Sequence, residues 1–188
     1  MRSPRRWIVA SFAGVAVLAA TWAIVAGRSD GASRADAIVP GTPIAVDRAA
    51  PGFTAPVLGG SRSLSLESFR GSVVVVNFWA SWCHACRAEA SSLRRLARSF
   101  EGDGVRFVGI DYEDRGGAAM AAAHSFALPY PSVADPDASV GDAFGIMGLP
   151  TTYVIDASGR IRYEVPGRLD PASLRTALRA VVAGGAST

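Results

Sequence analysis

Residues Val73 to Cys86 read VVVVNFWASWCHAC, and the stretch changes character halfway along. The unbroken apolar run from Val73 to Trp79 is what a strand covered on both faces requires. Trp82-Cys83-His84-Ala85-Cys86 follows where that strand hands over to a helix, and its cysteines are the only two in 188 residues. Two cysteines cannot build a disulfide scaffold, so their role is redox chemistry, metal binding or packing.

Beyond the cysteines, Leu93, Leu96, Ala97 and Phe100 recur at i, i+3, i+4 and i+7, with Arg87, Arg94, Arg95 and Arg98 on the other side. That period predicts an amphipathic helix from His84 to Phe100. Cys83 then stands at the helix N-terminus, where unpaired N–H groups and the macrodipole favour a thiolate. Cys86, one turn inside, is the more buried thiol and suits the resolving step after a mixed disulfide has formed. Structural zinc needs four ligands, and only Cys83, Cys86, His84 and His124 offer themselves, without a second paired motif. Covalent haem attachment needs histidine after the second cysteine, where Arg87 stands. Two inert, buried cysteines are the remaining alternative.

Working outward, Phe53–Leu58 and Arg62–Leu66 flank Gly59-Gly60-Ser61 as a short hairpin. Val105 to Ile110 reads as a second buried strand, Gly117–Phe126 as a helix, and Tyr130–Ala134 as a short extended piece. Asp137–Phe144 suits a further helix. Thr151–Asp156 and Ile161–Val165 bracket a turn at Ala157-Ser158-Gly159-Arg160. Asp170 caps a last helix with Pro171 at its first position and Leu174, Leu178, Val181 and Val182 inward. Strands first alternate with helices and a hairpin then closes the sheet. This order predicts an α/β fold with a central mixed sheet and helices on both faces.

Charge and hydropathy are unevenly placed. Every cation is an arginine, which excludes a P-loop lysine and Schiff-base chemistry. Hydrophobic residues make up 49% of the chain, too many for disorder. Trp7 to Gly27 carries no charge over twenty-one positions, and as a helix it spans about 31 Å, close to one hydrocarbon core. Arg2, Arg5 and Arg6 precede it and only Arg28 follows directly, so the N-terminus stays inside and the rest is exported. A cleavable leader, with an apolar region of roughly 7–15 residues, is the alternative, and it exports the same part. Residues 1–28 hold four arginines and no acid, leaving 15 arginines against 16 acids afterwards. An exported part at −1 has no basic surplus for nucleic acid. The expected organisation is an anchor over residues 1–28, a flexible tether over 29–50 and a folded domain over 51–185.

NFWASWCHAC, with Gly148-Leu149-Pro150-Thr151-Thr152 some sixty residues later, resembles the thioredoxin superfamily, and more narrowly its membrane-anchored TlpA, ResA and DsbE (CcmG) group. Gly52-Phe53, Gly71, Val154-Ile155-Asp156 and Gly159–Tyr163 extend the likeness. The resemblance implies a thioredoxin-like fold with an N-terminal hairpin extension and a single transmembrane helix. It implies attack by Cys83, resolution by Cys86, and a cis-proline at Pro150 lying against the disulfide; a trans turn is the alternative from the residues alone. Glu89 matches an acidic residue three positions after the second cysteine, where a carboxyl holds or relays the proton of Cys86. Unaided, Glu89 reads equally well as a solvated carboxylate near Arg87 and Arg94. Asn77 stands where thioredoxin carries a buried acid.

Partner contact falls to Trp82, His84, Ala85, Leu149 and Thr151. His84, where reducing members commonly have a nearby proline, would favour the Cys83 thiolate and a higher potential, or else serve as an exposed spacer. Trp79 reads as core and His124 as surface. Neither metal nor cofactor is expected beyond the redox-active Cys83–Cys86 disulfide. The implied partners are apocytochrome c and a transmembrane thiol electron carrier. A disulfide-forming oxidant and a non-catalytic binding module are the other readings. Peroxidase chemistry is disfavoured because Ala80 stands where a Thr or Ser is needed.

Overall fold

The computed structural model describes residues 40–115 and 117–185, and the apolar Trp7–Gly27 segment lies outside them. Among the described residues no helix is long and apolar enough to cross a membrane. The chain runs β1 (Ile44–Ala49), β2 (Thr54–Pro56), β3 (Ser63–Ser65), β4 (Val73–Trp79), α1 (His84–Ser99), β5 (Val105–Tyr112) and α2 (Ala118–Phe126). It continues through β6 (Ser132–Asp135), α3 (Ser139–Phe144), β7 (Thr151–Ile155), β8 (Arg160–Pro166) and α4 (Pro171–Gly185). Six strands form one sheet in the order β1-β8-β7-β4-β5-β6, and β2 pairs with β3 as a separate hairpin. β4 is parallel to β5 and antiparallel to β7, so the sheet is mixed, as the element order predicts.

All seven residues of β4 are buried, because each face of this central strand meets its own core. Val74, Val76 and Phe78 point to one face, packed with Phe53, Leu66, Val140, Phe144 and Tyr153 under the hairpin and α3. Val73 and Val75 point to the other, against Leu93 and Leu96 of α1 and Leu174 and Leu178 of α4. The period of two in the strand thus meets the 3.6 period of α1 and α4 across one layer. Asp170 caps α4, its Oδ2 accepting from the Ser173 N–H at 2.9 Å.

Residues 44–49, which composition places in a flexible tether over 29–50, form a strand. Ile44–Ala49 is an edge strand, antiparallel to β8 with a register shift between Ala45 and Arg48. Its burial alternates, and Arg48 reaches under it to donate to the Phe144 carbonyl at 2.8 Å. The Gly41 N–H donates to the Pro166 carbonyl and the Asp170 N–H to the Gly41 carbonyl, so the fold is already engaged at residue 41. Pro43 and the small, polar neighbours mask the Ile44/Val46 alternation that marks this strand.

Gly109 in β5 shows how closely the sheet packs beside the cysteines. A Cβ there would lie 2.6 Å from Trp79 Nε1 and closer still to the Ser132 hydroxyl. The missing side chain lets the buried indole lie across β5. Gly109→Ala is expected to lower unfolding stability by about 1–3 kcal/mol through overpacking, read by urea denaturation. An unchanged midpoint would mean that Trp79 has room to move.

Candidate active site

β4 delivers its last residue, Trp79, to the floor of the site, where it is 1% exposed and meets Phe126 edge-on at 5.4 Å. The Arg87 guanidinium lies over the same Phe126 ring. The chain then turns, the Cys83 N–H donating to the Ala80 carbonyl at 3.2 Å. Ser81 in this turn is held by Asp114, whose Oδ2 accepts from the Ser81 N–H at 2.6 Å and Oδ1 from the hydroxyl at 2.7 Å.

Cys83 is the N-cap of α1, and its Sγ accepts from the Cys86 N–H at 3.1 Å. That contact, together with the free N–H groups of the first turn, favours negative charge on Cys83 once the bond is reduced. Cys83 and Cys86 are joined, S–S 2.00 Å, with Cα atoms 5.3 Å apart. Cys83 is 6% exposed and Cys86 2%, the order expected for an attacking and a resolving sulfur. His84 is exposed at the first helical position, and Ala85 is half-buried. Trp82 stands out into solvent, 56% exposed.

The second wall comes from β7. Its antiparallel register sets Thr151 opposite Phe78 and Thr152 opposite Asn77. Pro150 is thereby carried to the end of β4, and the Leu149–Pro150 peptide is cis. Leu149 packs against the cluster that contains both cysteines. Thr151 does not offer its side chain to a partner. It is buried, and its hydroxyl donates to the Gly148 carbonyl at 2.8 Å, bracing the loop from inside. Met147, absent from the sequence expectation, is 98% exposed in the same loop.

Glu89 is not the solvated carboxylate that its arginine neighbours suggest, for it is 2% exposed. Its Oε1 accepts from Asn77 Nδ2 and its Oε2 from the Leu169 N–H, each at 3.0 Å. Asn77 Nδ2 also donates to Thr152 Oγ1 at 3.0 Å. Burial pushes the Glu89 carboxyl up to about 7, while the two hydrogen bonds and Arg168 pull the other way. Near neutral pH this carboxyl is therefore divided between its acid and base forms. Asn77 and Thr152 suit both forms: a flip of the amide and rotation of the hydroxyl turn acceptor-facing donors into acceptors. Among the described residues no group of three or more His, Cys, Asp and Glu side chains is placed to hold a metal ion.

A dithiol pair at a helix start can exchange electrons with other protein thiols, and this sheet is the one on which thioredoxin-like thiol-disulfide oxidoreductases present it. Within that class the chain belongs to the AhpC/TSA family, whose profile matches residues 46–164. It is 39% identical over 127 residues to the thiol:disulfide interchange protein DsbE of Allochromatium vinosum, covering 66% of this chain and 68% of that one. It is 29% identical over 140 residues to the thiol-disulfide oxidoreductase ResA of Geobacillus thermodenitrificans, covering 74% and 80%. Among solved structures, the thioredoxin domain of a Bacteroides vulgatus thiol-disulfide oxidoreductase superposes with TM-score 0.65 at 27% identity, covering 74% of this chain and 99% of that one. A secreted Mycobacterium tuberculosis disulfide oxidoreductase homologous to E. coli DsbE gives 0.62 at 26%, covering 68% and 95%. The thioredoxin resemblance carried by NFWASWCHAC and the Pro150 loop is thus borne out in family and fold.

Proposed function

We propose that the protein is an extracytoplasmic, membrane-tethered reductant of protein disulfides that serves cytochrome c maturation. The Cys83 thiolate attacks a disulfide of the partner, apocytochrome c, forming a mixed disulfide and releasing one partner thiolate. Cys86 then loses its proton and attacks Cys83 Sγ, releasing the second partner thiol and leaving the enzyme disulfide. Two electrons pass to the partner, and a transmembrane thiol carrier returns two to Cys83–Cys86. No cofactor beyond this pair enters the exchange.

The observation that carries the proposal is the buried Glu89 carboxyl, one helical turn beyond Cys86. The resolving thiol must be deprotonated out of reach of solvent, and Glu89 is a base of suitable strength on the same helix face. Trp82, His84, Ala85, Leu149 and the Pro150 backbone form the rim that a partner segment meets. Residues 1–28 supply the anchor, with the N-terminus inside, and a tether of about 12 residues leads from Arg28 to Gly41.

The reduction potential of the full-length protein tests the direction of electron flow. A value near that of thioredoxin, about −270 mV, is expected, and one near −120 mV would make the protein a disulfide-forming oxidant instead.

A further inference from the structure

Near the ends of β5 and β6 and in the loop after β5 lie three buried acids that the exchange does not use: Asp111 at 2% exposure, Asp114 at 8% and Asp135 at 1%. Two of them are well supplied with donors. Asp135 accepts from the N–H groups of Val140 and Gly141 at 3.0 and 2.9 Å and from the Ser139 hydroxyl, at the start of α3. Asp114 accepts twice from Ser81, as described above.

Asp111 differs from both. Its Oδ1 is buried without a partner among the described residues, and its carboxyl lies within hydrogen-bonding reach of that of Asp114. Two carboxyls can bond only through a proton on one of them. Ionised, Asp111 would be a buried charge with no N–H donor among the described residues, facing other carboxylates, and both lost hydration and repulsion oppose that state.

The charges acting on it are Asp114 from the following loop and Asp135 from β6, both negative. On β4 it is paired in register with Trp79, whose indole Nε1 is likewise buried without a partner. Next along β5, Tyr112 feels Glu113, Asp135 and Asp142 of α3. Burial first, and then Asp114 and Asp135, push Asp111 up to about 8.

Ser81 stands two residues before Cys83, inside the turn that the Cys83 N–H closes on Ala80. We propose that Asp111 is a positioning residue of the dithiol: one proton shared between Asp111 and Asp114 holds Asp114 on Ser81 and so fixes the Ala80–Cys83 turn. Loss of that proton sets two carboxylates against each other and loosens the turn in front of Cys83. The proposal needs only thiol–disulfide exchange and is independent of substrate and direction.

The test is a pH titration from 6 to 10 of the full-length protein in detergent with the disulfide intact, so that neither cysteine titrates. By NMR, an aspartate carboxyl carbon and the Ser81 amide are expected to share one midpoint near 8 in the wild type. The shared midpoint should persist in His84→Gln and Glu89→Gln. In Asp111→Asn the Ser81 amide should stay flat. A Ser81 titration that survives in Asp111→Asn, or wild-type midpoints that differ, would overturn the proposal, and the wild-type arm stands even if the variant does not fold. The rate at which dithiothreitol reduces the disulfide supplies a functional readout. The ratio of wild type to Asp111→Asn is expected to change about threefold or more between pH 7 and 9, because small misplacements of reacting atoms are costly. A constant ratio would leave Asp111 a merely structural residue and overturn its positioning role.

Discussion

Replacing Cys83 with serine is expected to remove all measurable turnover of a protein disulfide, while Cys86→Ser should halt the reaction halfway with partner attached. The asymmetry follows from where the two sulfurs sit. Cys83 caps α1 and accepts the Cys86 N–H at 3.1 Å, so its thiolate is favoured and lies nearer the surface. A serine hydroxyl at that place is not ionised near neutral pH and forms no bond to sulfur that the cycle can use. Cys86 lies deeper, 2% exposed, and its task is to attack the mixed disulfide from within. Without it the partner stays bonded to Cys83. Non-reducing electrophoresis of each variant after exposure to an oxidised protein substrate, with mass determination of the adduct, separates the roles. Adducts on Cys83→Ser instead of Cys86→Ser would reverse the assignment. Equal turnover by wild type and Cys83→Ser would mean a non-catalytic binding module.

The parts of this architecture that were legible in the sequence are those fixed by local pattern. The Val73–Trp79 run, the helix stripe through Leu93 and Leu96, and the Asp170-Pro171 start of α4 each depend on neighbours a turn or a strand away. What depended on register was not legible. Nothing local says that Thr152 lies opposite Asn77, or that Asn77 links it to Glu89, because β4 and β7 are joined only by folding. The same holds for Asp114, thirty-three residues from the Ser81 it clamps. β1 was missed because an edge strand with one half-buried face carries a weak alternation, and Pro43 blurred it. Glu89 falls on the stripe of Cys86, Leu93 and Leu96, and that spacing places it on the buried face whatever its charge.

Replacing Glu89 with glutamine should move stability and activity in opposite directions. The unfolded chain titrates near 4.5, whereas burial holds the folded carboxyl near 7. Between those values the native state keeps a proton that the unfolded state has released. Stability from this group is therefore greatest below pH 4.5, falls as pH rises towards 7, and stays low above it. A difference of this size corresponds to about 3 kcal/mol. Glutamine is neutral throughout and can be accommodated by flipping Asn77 and turning Thr152. Glu89→Gln should match the wild type in acid and be more stable by about 3 kcal/mol at pH 8, as measured by urea denaturation across pH. Asp111, also raised, is common to both proteins and drops out of the comparison. Turnover should fall, by about 10²-fold if Glu89 acts as the base for Cys86, with KM little changed because the buried carboxyl is out of a partner's reach. A variant that is both less stable and less active at pH 8 would make Glu89 a packing residue, and unchanged turnover would remove it from proton transfer. The expected combination has one physical reading. A carboxyl kept where it weakens the fold at neutral pH, and whose neutral isostere strengthens the fold while slowing the reaction, is held there by the chemistry of Cys86.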